Sequence, residues 1–319
     1  MAEFNPEIQT ENLAFDESEL VKCGACGRLN PPSRPECLYC GGAIESSPAV
    51  KLELRALEAW EKGFNLIATG REGIDIDGIS AMLHVEREFV SRVAGAADPL
   101  PIARVESPNA AETAAERLRA LGLRTSVVSD AELNGGGPPL RLAGMEFAVG
   151  GIGLRAFVSG DVIRHDVDDL ALIVVGSLSR SRVDEHERQT RADSRLTDVS
   201  TSFADEPVVD IYFRDSTSGF RIPYSGFDFS MLEQEKSYIG TENLNRLVDK
   251  LAALAPQTKI VSDYRSLRGV LGVVWPIEPK RQAHGLRRSG FGRPEFVSVS
   301  TTSNLEQFSK YSRLRRFFL

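Results

Sequence analysis

All four cysteines of the chain lie in one stretch, CGACGRLNPPSRPECLYCGG, as Cys23, Cys26, Cys37 and Cys40. Each Cys-x-x-Cys turn sets two sulfurs at one vertex, and two such turns ten residues apart complete a tetrahedron suited to zinc. A bound cation also lowers thiol pKa, so all four can bind as thiolates near neutral pH. Glycine follows each pair, Gly27 and then Gly41–Gly42, where a knuckle turns its N–H groups toward sulfur. The intervening RLNPPSRPE has three prolines and almost no apolar content. Such a segment builds no core, so metal binding would supply its folding energy. Four protein ligands leave no open position for water, which points to one structural zinc rather than a catalytic one.

The segment KCGACGRLNPPSRPECLYCGGAI resembles the short bacterial zinc ribbons of the form CxxCGxxN…CxxCGxxL. Its ligand spacing and Asn30 are also similar to the zinc fingers named after Ran-binding protein. Val21 stands where that second family carries tryptophan, so its RNA or ubiquitin binding is not expected here.

Around the ribbon, the sequence reads as an α+β multidomain protein. Residues 1–18 are an acidic N-terminus expected to be disordered, with neither the basic nor the apolar region of a signal peptide. Residues 19–46 are the ribbon, and ESSPAV (45–50) is a linker. Residues 51–131 form a small α/β domain. KLELRALEAWEKG reads as a short helix and FNLIA as a strand. A helix pair over 79–93, the strand PLPIARVES and the helix SPNAAETAAERLRALG follow, and LRTSVVSD closes the unit as a strand. In the long helix Ser107 is the expected cap, Pro108 suits the first turn and Gly122 ends it. This order resembles the C-terminal domain of the bacterial ribosomal stalk protein. IDIDGISAMLHVEREFVSRVAG also resembles a helix-turn-helix. His84 takes the place of the turn glycine, however, and Glu86 and Glu88 would repel phosphates, so a packed helix pair is expected.

NGGGPP (134–139) marks a boundary. Residues 139–256 then run through short β segments, a polar stretch (184–207) read as a mobile loop, and the helix TENLNRLVDKLAALAP. Strands followed by one helix resemble a pleckstrin-homology-like barrel with its closing helix. Residues 257–319 read as an irregular basic tail. From Ile260 onward eleven Lys/Arg face four acids, a net +7, which leaves −14 on the rest of a chain whose total is −7. Lys280, Arg281, Arg287, Arg288, Arg313, Arg315 and Arg316 are the candidate anion or nucleic-acid contacts of this tail. The competing expectation is that its aromatic residues dock on the protein and its arginines pair with the acidic surface.

No run of eighteen apolar residues exists, and no Walker loop, G-x-S-x-G or H-E-x-x-H motif appears. VGGIG (149–153) reads as a hairpin turn and IRHDVDD as an exposed strand. The expectation is a cytoplasmic, non-enzymatic zinc-ribbon adaptor or scaffold with a protein partner. The alternatives are a nucleic-acid-binding protein using ribbon and tail, and a thiol–disulfide oxidoreductase built on the Cys-x-x-Cys pairs.

Overall fold

The computed structural model describes residues 20–44 except 32, 33 and 35, and residues 54–319 except 56, 59, 190–194 and 290–292. Side chains of 186–198 and 282–297 are outside the description. The expected N-terminal arm (1–18) and linker (45–50) fall on residues outside it as well.

The ribbon begins with a two-residue hairpin, β1 (Val21–Lys22) antiparallel to β2 (Leu29–Asn30). Its apolar cluster among the described residues is Cys23, Cys37 and Ile44 with Val21 alongside, so little besides the cysteines makes a core. Residues 54–63 are not helical where they are described, contrary to the expected helix there. Their carbonyls are taken from outside: Arg104 donates to the carbonyl oxygens of Glu58 and Glu61, while Arg55 bridges Glu61 and Glu106.

Next come β3 (Phe64–Arg71), α1 (Ile76–Leu83), α2 (Arg87–Gly95), β4 (Leu100–Val105), α3 (Pro108–Ala120), β5 (Leu123–Ser129) and the single turn α4 (Asp130–Leu133). The three strands form an antiparallel sheet in the order β4-β3-β5. Asp75 caps α1 by accepting from the Gly78 N–H, and Ser107 caps α3 by accepting from the Ala110 N–H. α3 buries Ala110, Ala111, Ala114, Ala115 and Leu118, small residues that bring it close to the sheet. α1 ends on His84, which adopts the left-handed conformation (φ 53°) that the turn between the two helices requires. Gly122, after α3, has φ 84°, and a Cβ there would sit 2.4 Å from the Glu72 carbonyl oxygen.

The second sheet is a curled half-barrel. It contains β6 (Leu140–Ala148), β7 (Gly151–Ala156), β8 (Val162–Asp166), β9 (Leu170–Gln189), β10 (Arg195–Phe213) and β11 (Phe220–Pro223). After α5 (Gly240–Leu254) the chain adds β12 (Lys259–Val261), α6 (Tyr264–Val274), β13 (Lys280–Ser289), β14 (Arg293–Ser303) and α7 (Leu305–Phe317). The order is β13-β14-β9-β10-β11-β6-β7-β8, with β12 parallel to β9 and β11 parallel to β6.

Three expectations change here. The polar 184–207 stretch belongs mostly to a long hairpin, with β9 and β10 paired from Leu170–Phe213 out to Gln189–Arg195. Alternating Thr, Ser and Val in TDVSTS suit a strand, and pairing, not apolar content, fixes it. The chain does not end in a barrel closed by α5, because later strands rejoin the sheet at β9. Residues 257–319 are not an irregular tail: two helices and three strands account for most of them.

Alternation along β9 and β10 distributes two cores. Ile173, Val209, Ile211 and Phe213 face α5, where Leu244, Leu247 and Leu251 are buried. Leu172, Val174, Val208 and Tyr212 face the other way, onto Phe308, Tyr311 and Leu314 of α7 and Tyr264 and Leu271 of α6. The same core continues into Leu66, Ile102 and Leu118 of the small sheet and its helices. α6 and α7 therefore lie between the two sheets. Gly176 of β9 makes room for α7, since a Cβ there would fall 2.2 Å from the Phe308 ring.

A buried hydrogen-bond chain crosses the same seam. Asn304 donates to Tyr264 Oη, Tyr264 to Gln307 Oε1, and Gln307 to the Trp275 carbonyl. Trp275 Nε1 donates to Asn65 Oδ1 on β3, and Asn65 donates to Asp130, which also receives Arg104 at 2.6 Å.

Candidate metal centre

Both cysteine turns are built alike. In the first, the Cys23 N–H donates to the Arg28 carbonyl and the Gly27 N–H to the Cys23 carbonyl, each at 2.9 Å. In the second, the Cys37 N–H donates to the Gly42 carbonyl (2.8 Å) and the Gly41 N–H to the Cys37 carbonyl (3.0 Å). Gly27 and Gly41 hold φ of 73° and 70°, the left-handed bend that lets each turn fold its N–H groups toward sulfur. A β-bridge between Glu36 and Ala43 closes the second turn.

The four thiols are free and converge, with every Sγ within 4.8 Å of the others. Cys23 and Cys40 are 3.7 Å apart, and Cys26 and Cys37 are 3.4 Å apart. Tetrahedral zinc with Zn–S bonds of about 2.3 Å requires S···S edges of about 3.8 Å. The cluster is therefore positioned to hold one metal ion and is compatible with zinc.

Asn30, fully buried, stitches the two turns together. It donates to the Arg28 carbonyl of the first (2.9 Å) and toward Cys37 Sγ (3.4 Å), and accepts the Leu38 N–H of the second (2.9 Å). Outer groups of this kind orient metal ligands. Without a cation the sulfurs cannot share charge evenly. Burial works against the Cys37 thiolate, but the N–H groups of Tyr39 and Cys40, with Cys26 and Asn30, bring it down to about 6. At Cys40 the Gly42 N–H favours the thiolate, yet the neighbouring sulfurs push it up to about 12. A divalent cation is the partner that lets all four ionise together.

Around this centre the surface is apolar in places. Leu29, Leu38 and Tyr39 are exposed, and Arg28 lies 4.5 Å from the Tyr39 ring centre. Two polar contacts seat the ribbon on the start of α3. Ser107 donates to Glu36, and Asn109 donates to the Gly41 carbonyl at 3.3 Å.

The basic candidates are dispersed. Arg315 is buried, donates to the Pro99 carbonyl (2.9 Å) and lies 3.7 Å from Asp263. Arg313 donates to Asn134 and to the Gly137 carbonyl, and Arg316 to the Phe213 carbonyl. These three turn back onto the body, through an amide and backbone carbonyls and, for Arg315, Asp263 of the same C-terminal segment rather than the acidic surface expected. Lys280 pairs with Glu306 at 2.9 Å on the surface, and Arg281 is exposed. Arg287 and Arg288 lie on β13, at the edge of the large sheet, with side chains outside the description.

His165 was not singled out as a site by the sequence. Its ring stacks on Phe213 at 4.2 Å, and Nδ1 meets Asp215 at 3.0 Å. No helix among the described residues is long and apolar enough to cross a membrane. No family model, curated protein or solved structure matches this chain.

Proposed function

We propose that this chain is a non-enzymatic zinc-ribbon adaptor that presents binding surfaces to another protein in the cytoplasm. The convergence of the four sulfurs carries the reading, since a four-thiolate shell supports structure and has no open place for substrate. Leu29, Leu38 and Tyr39 beside the metal centre are the apolar contact face, because exposed apolar groups held on a rigid turn cost little entropy to bury. The β3–β5 order with its antiparallel β4-β3-β5 sheet supports the likeness to the stalk-protein domain.

Nucleic-acid binding is the second reading. Lys280, Arg281, Arg287 and Arg288 favour it, because β13 places all four on one edge strand. Metal analysis of the purified chain is expected to give one zinc per chain. Capture of a protein partner is expected to survive nuclease treatment and to drop when Leu38 and Tyr39 are both changed to Ser, with the zinc retained. Binding to nucleic acid that weakens steeply with salt, and that falls with Arg287→Ala and Arg288→Ala, would replace the adaptor reading. Reversible cycling of the four thiols without metal would instead favour the oxidoreductase.

A further inference from the structure

A cavity of about 780 Å³ opens between the two sheets, where Trp60–Lys62, the end of β4, α4, the start of β6 and the first half of α7 meet. That volume lies within the roughly 300–1,000 Å³ range of small-molecule sites.

Its charge is one-sided once internal pairs are set apart. Of the lining cations, Arg104 is held by Asp130 at 2.6 Å and Arg221 by Asp210 at 2.7 Å. Of the lining acids, Glu61 is engaged by Arg55 and Glu306 by Lys280. Lys62, Arg141, Arg180, Lys310 and Arg313 remain on the wall with no ion pair among the described residues. Glu206 is the lining carboxylate left in the same condition.

Two of these cations are mounted on a rigid helix, and Lys310 is short of partners. Lys310 and Arg313 stand three residues apart on α7 and line the same cavity. Lys310 makes no hydrogen bond among the described residues. Burial draws its ammonium below the ordinary lysine range even with Asp130 acting in the opposite sense. Arg313 has its two terminal nitrogens engaged by Asn134 and Gly137, while Nε is buried with no acceptor. A partly buried cation left without a partner costs free energy that an arriving anion recovers, and Lys310 is in that state. Arg141 and Arg180 are exposed at the wall. Guanidinium groups match phosphate with paired N–H bonds, and an ammonium adds a compact charge.

We propose that this cavity binds a phosphorylated small molecule, with Lys310 holding the phosphate from α7 and Arg141 and Arg180 closing on it from the sheet. Trp60 at the cavity wall is 80 % exposed, whereas Trp275 is buried, so ligand entry alters the environment of one indole and spares the other.

The test is titration of the metal-loaded full chain with inorganic pyrophosphate, read by calorimetry and by tryptophan emission. One saturable site is expected, weakened about tenfold or more by Lys310→Met and by Arg180→Ala, as loss of a charge-assisted contact implies. Lys236→Ala, outside the cavity, should leave it unchanged. Lys310→Met removes a partly buried charge and should fold at least as well as the parent. Arg180→Ala, at an exposed position, decides the matter if Lys310→Met does not fold. No saturable binding at millimolar pyrophosphate, unchanged affinity in Lys310→Met or Arg180→Ala, or an equal loss in Lys236→Ala would overturn the proposal.

Discussion

Residues 20–44 and residues 257–319 reach a defined structure by opposite routes. In the ribbon, four sulfurs brought together by two identical turns replace a core, and the apolar cluster amounts to Cys23, Cys37, Ile44 and Val21. In the C-terminal segment no side chain has comparable chemistry. Tyr264, Leu271, Phe308, Tyr311 and Leu314 instead fill the space between two sheets, some of whose strands lie more than two hundred residues earlier in the chain. The ribbon is held by a few strong local bonds, and the C-terminal segment by many weak distant contacts. The first kind is written in spacing and the second in shape.

The sharpest way to break this comparison is to remove the metal. Chelation, or Cys23→Ser, is expected to unfold residues 20–44, because structural zinc supplies about 10–16 kcal/mol of folding energy in comparable small modules. The rest of the protein should keep its thermal transition, since among the described residues Glu36–Ser107 and Gly41–Asn109 are the hydrogen bonds between ribbon and body. Limited proteolysis with calorimetry reads both at once. Collapse of the whole chain on chelation would show the ribbon to be part of the main core.

Asp130→Asn tests the seam from the other side. It leaves the Arg104 guanidinium buried beside a neutral group, a loss of about 3–5 kcal/mol by denaturant unfolding. The same residue gives a pH dependence. Burial alone would raise its carboxyl, but hydrogen bonds from Asn65 and Arg104 overcome this and hold it below the usual aspartate range. A carboxyl whose folded pKa is depressed adds stability that is fully present above its unfolded value of about 3.9 and is lost as pH falls through the folded value. The parent protein should therefore lose stability in acid more steeply than Asp130→Asn.

The smallest effect is expected from Trp275→Phe. The ring volume is mostly kept, but Asn65 Oδ1 loses its donor in a buried place, for about 1–3 kcal/mol. An unchanged midpoint would show that the hydrogen-bond chain across the seam contributes packing alone. Zinc content should be the same as in the parent, since the ribbon does not share this seam.

The small α/β unit was also legible where its signals were local. Ser107, Pro108 and Gly122 mark α3 because a cap, a first-turn proline and a left-handed glycine act within one turn of chain. KLELRALEAWEKG misled because its helical pattern is outweighed by Arg104, which takes the Glu58 and Glu61 carbonyls from another strand. The 184–207 stretch misled for a related reason. Its polar residues form strands through backbone pairing with each other and with β14, and pairing partners over a hundred residues away leave no local mark. The arginines of α7 looked like a surface charge run. Arg315 is buried because its guanidinium finds a carbonyl at Pro99, on a loop reached through the small sheet.

The sequence by itself determined the four-cysteine cluster positioned to hold a metal ion, down to its glycine bends, because Cys-x-x-Cys geometry depends on only a few consecutive residues. It determined the ends of α3 in the same way. Tertiary structure alone decided that α6 and α7 are the wedge between two sheets and that β12, β13 and β14 join the larger one. It also decided that Arg313, Arg315 and Arg316 anchor internally while Lys310 lines a cavity. Those outcomes rest on which distant surfaces meet, and burial, strand pairing and charge compensation are settled only when they do.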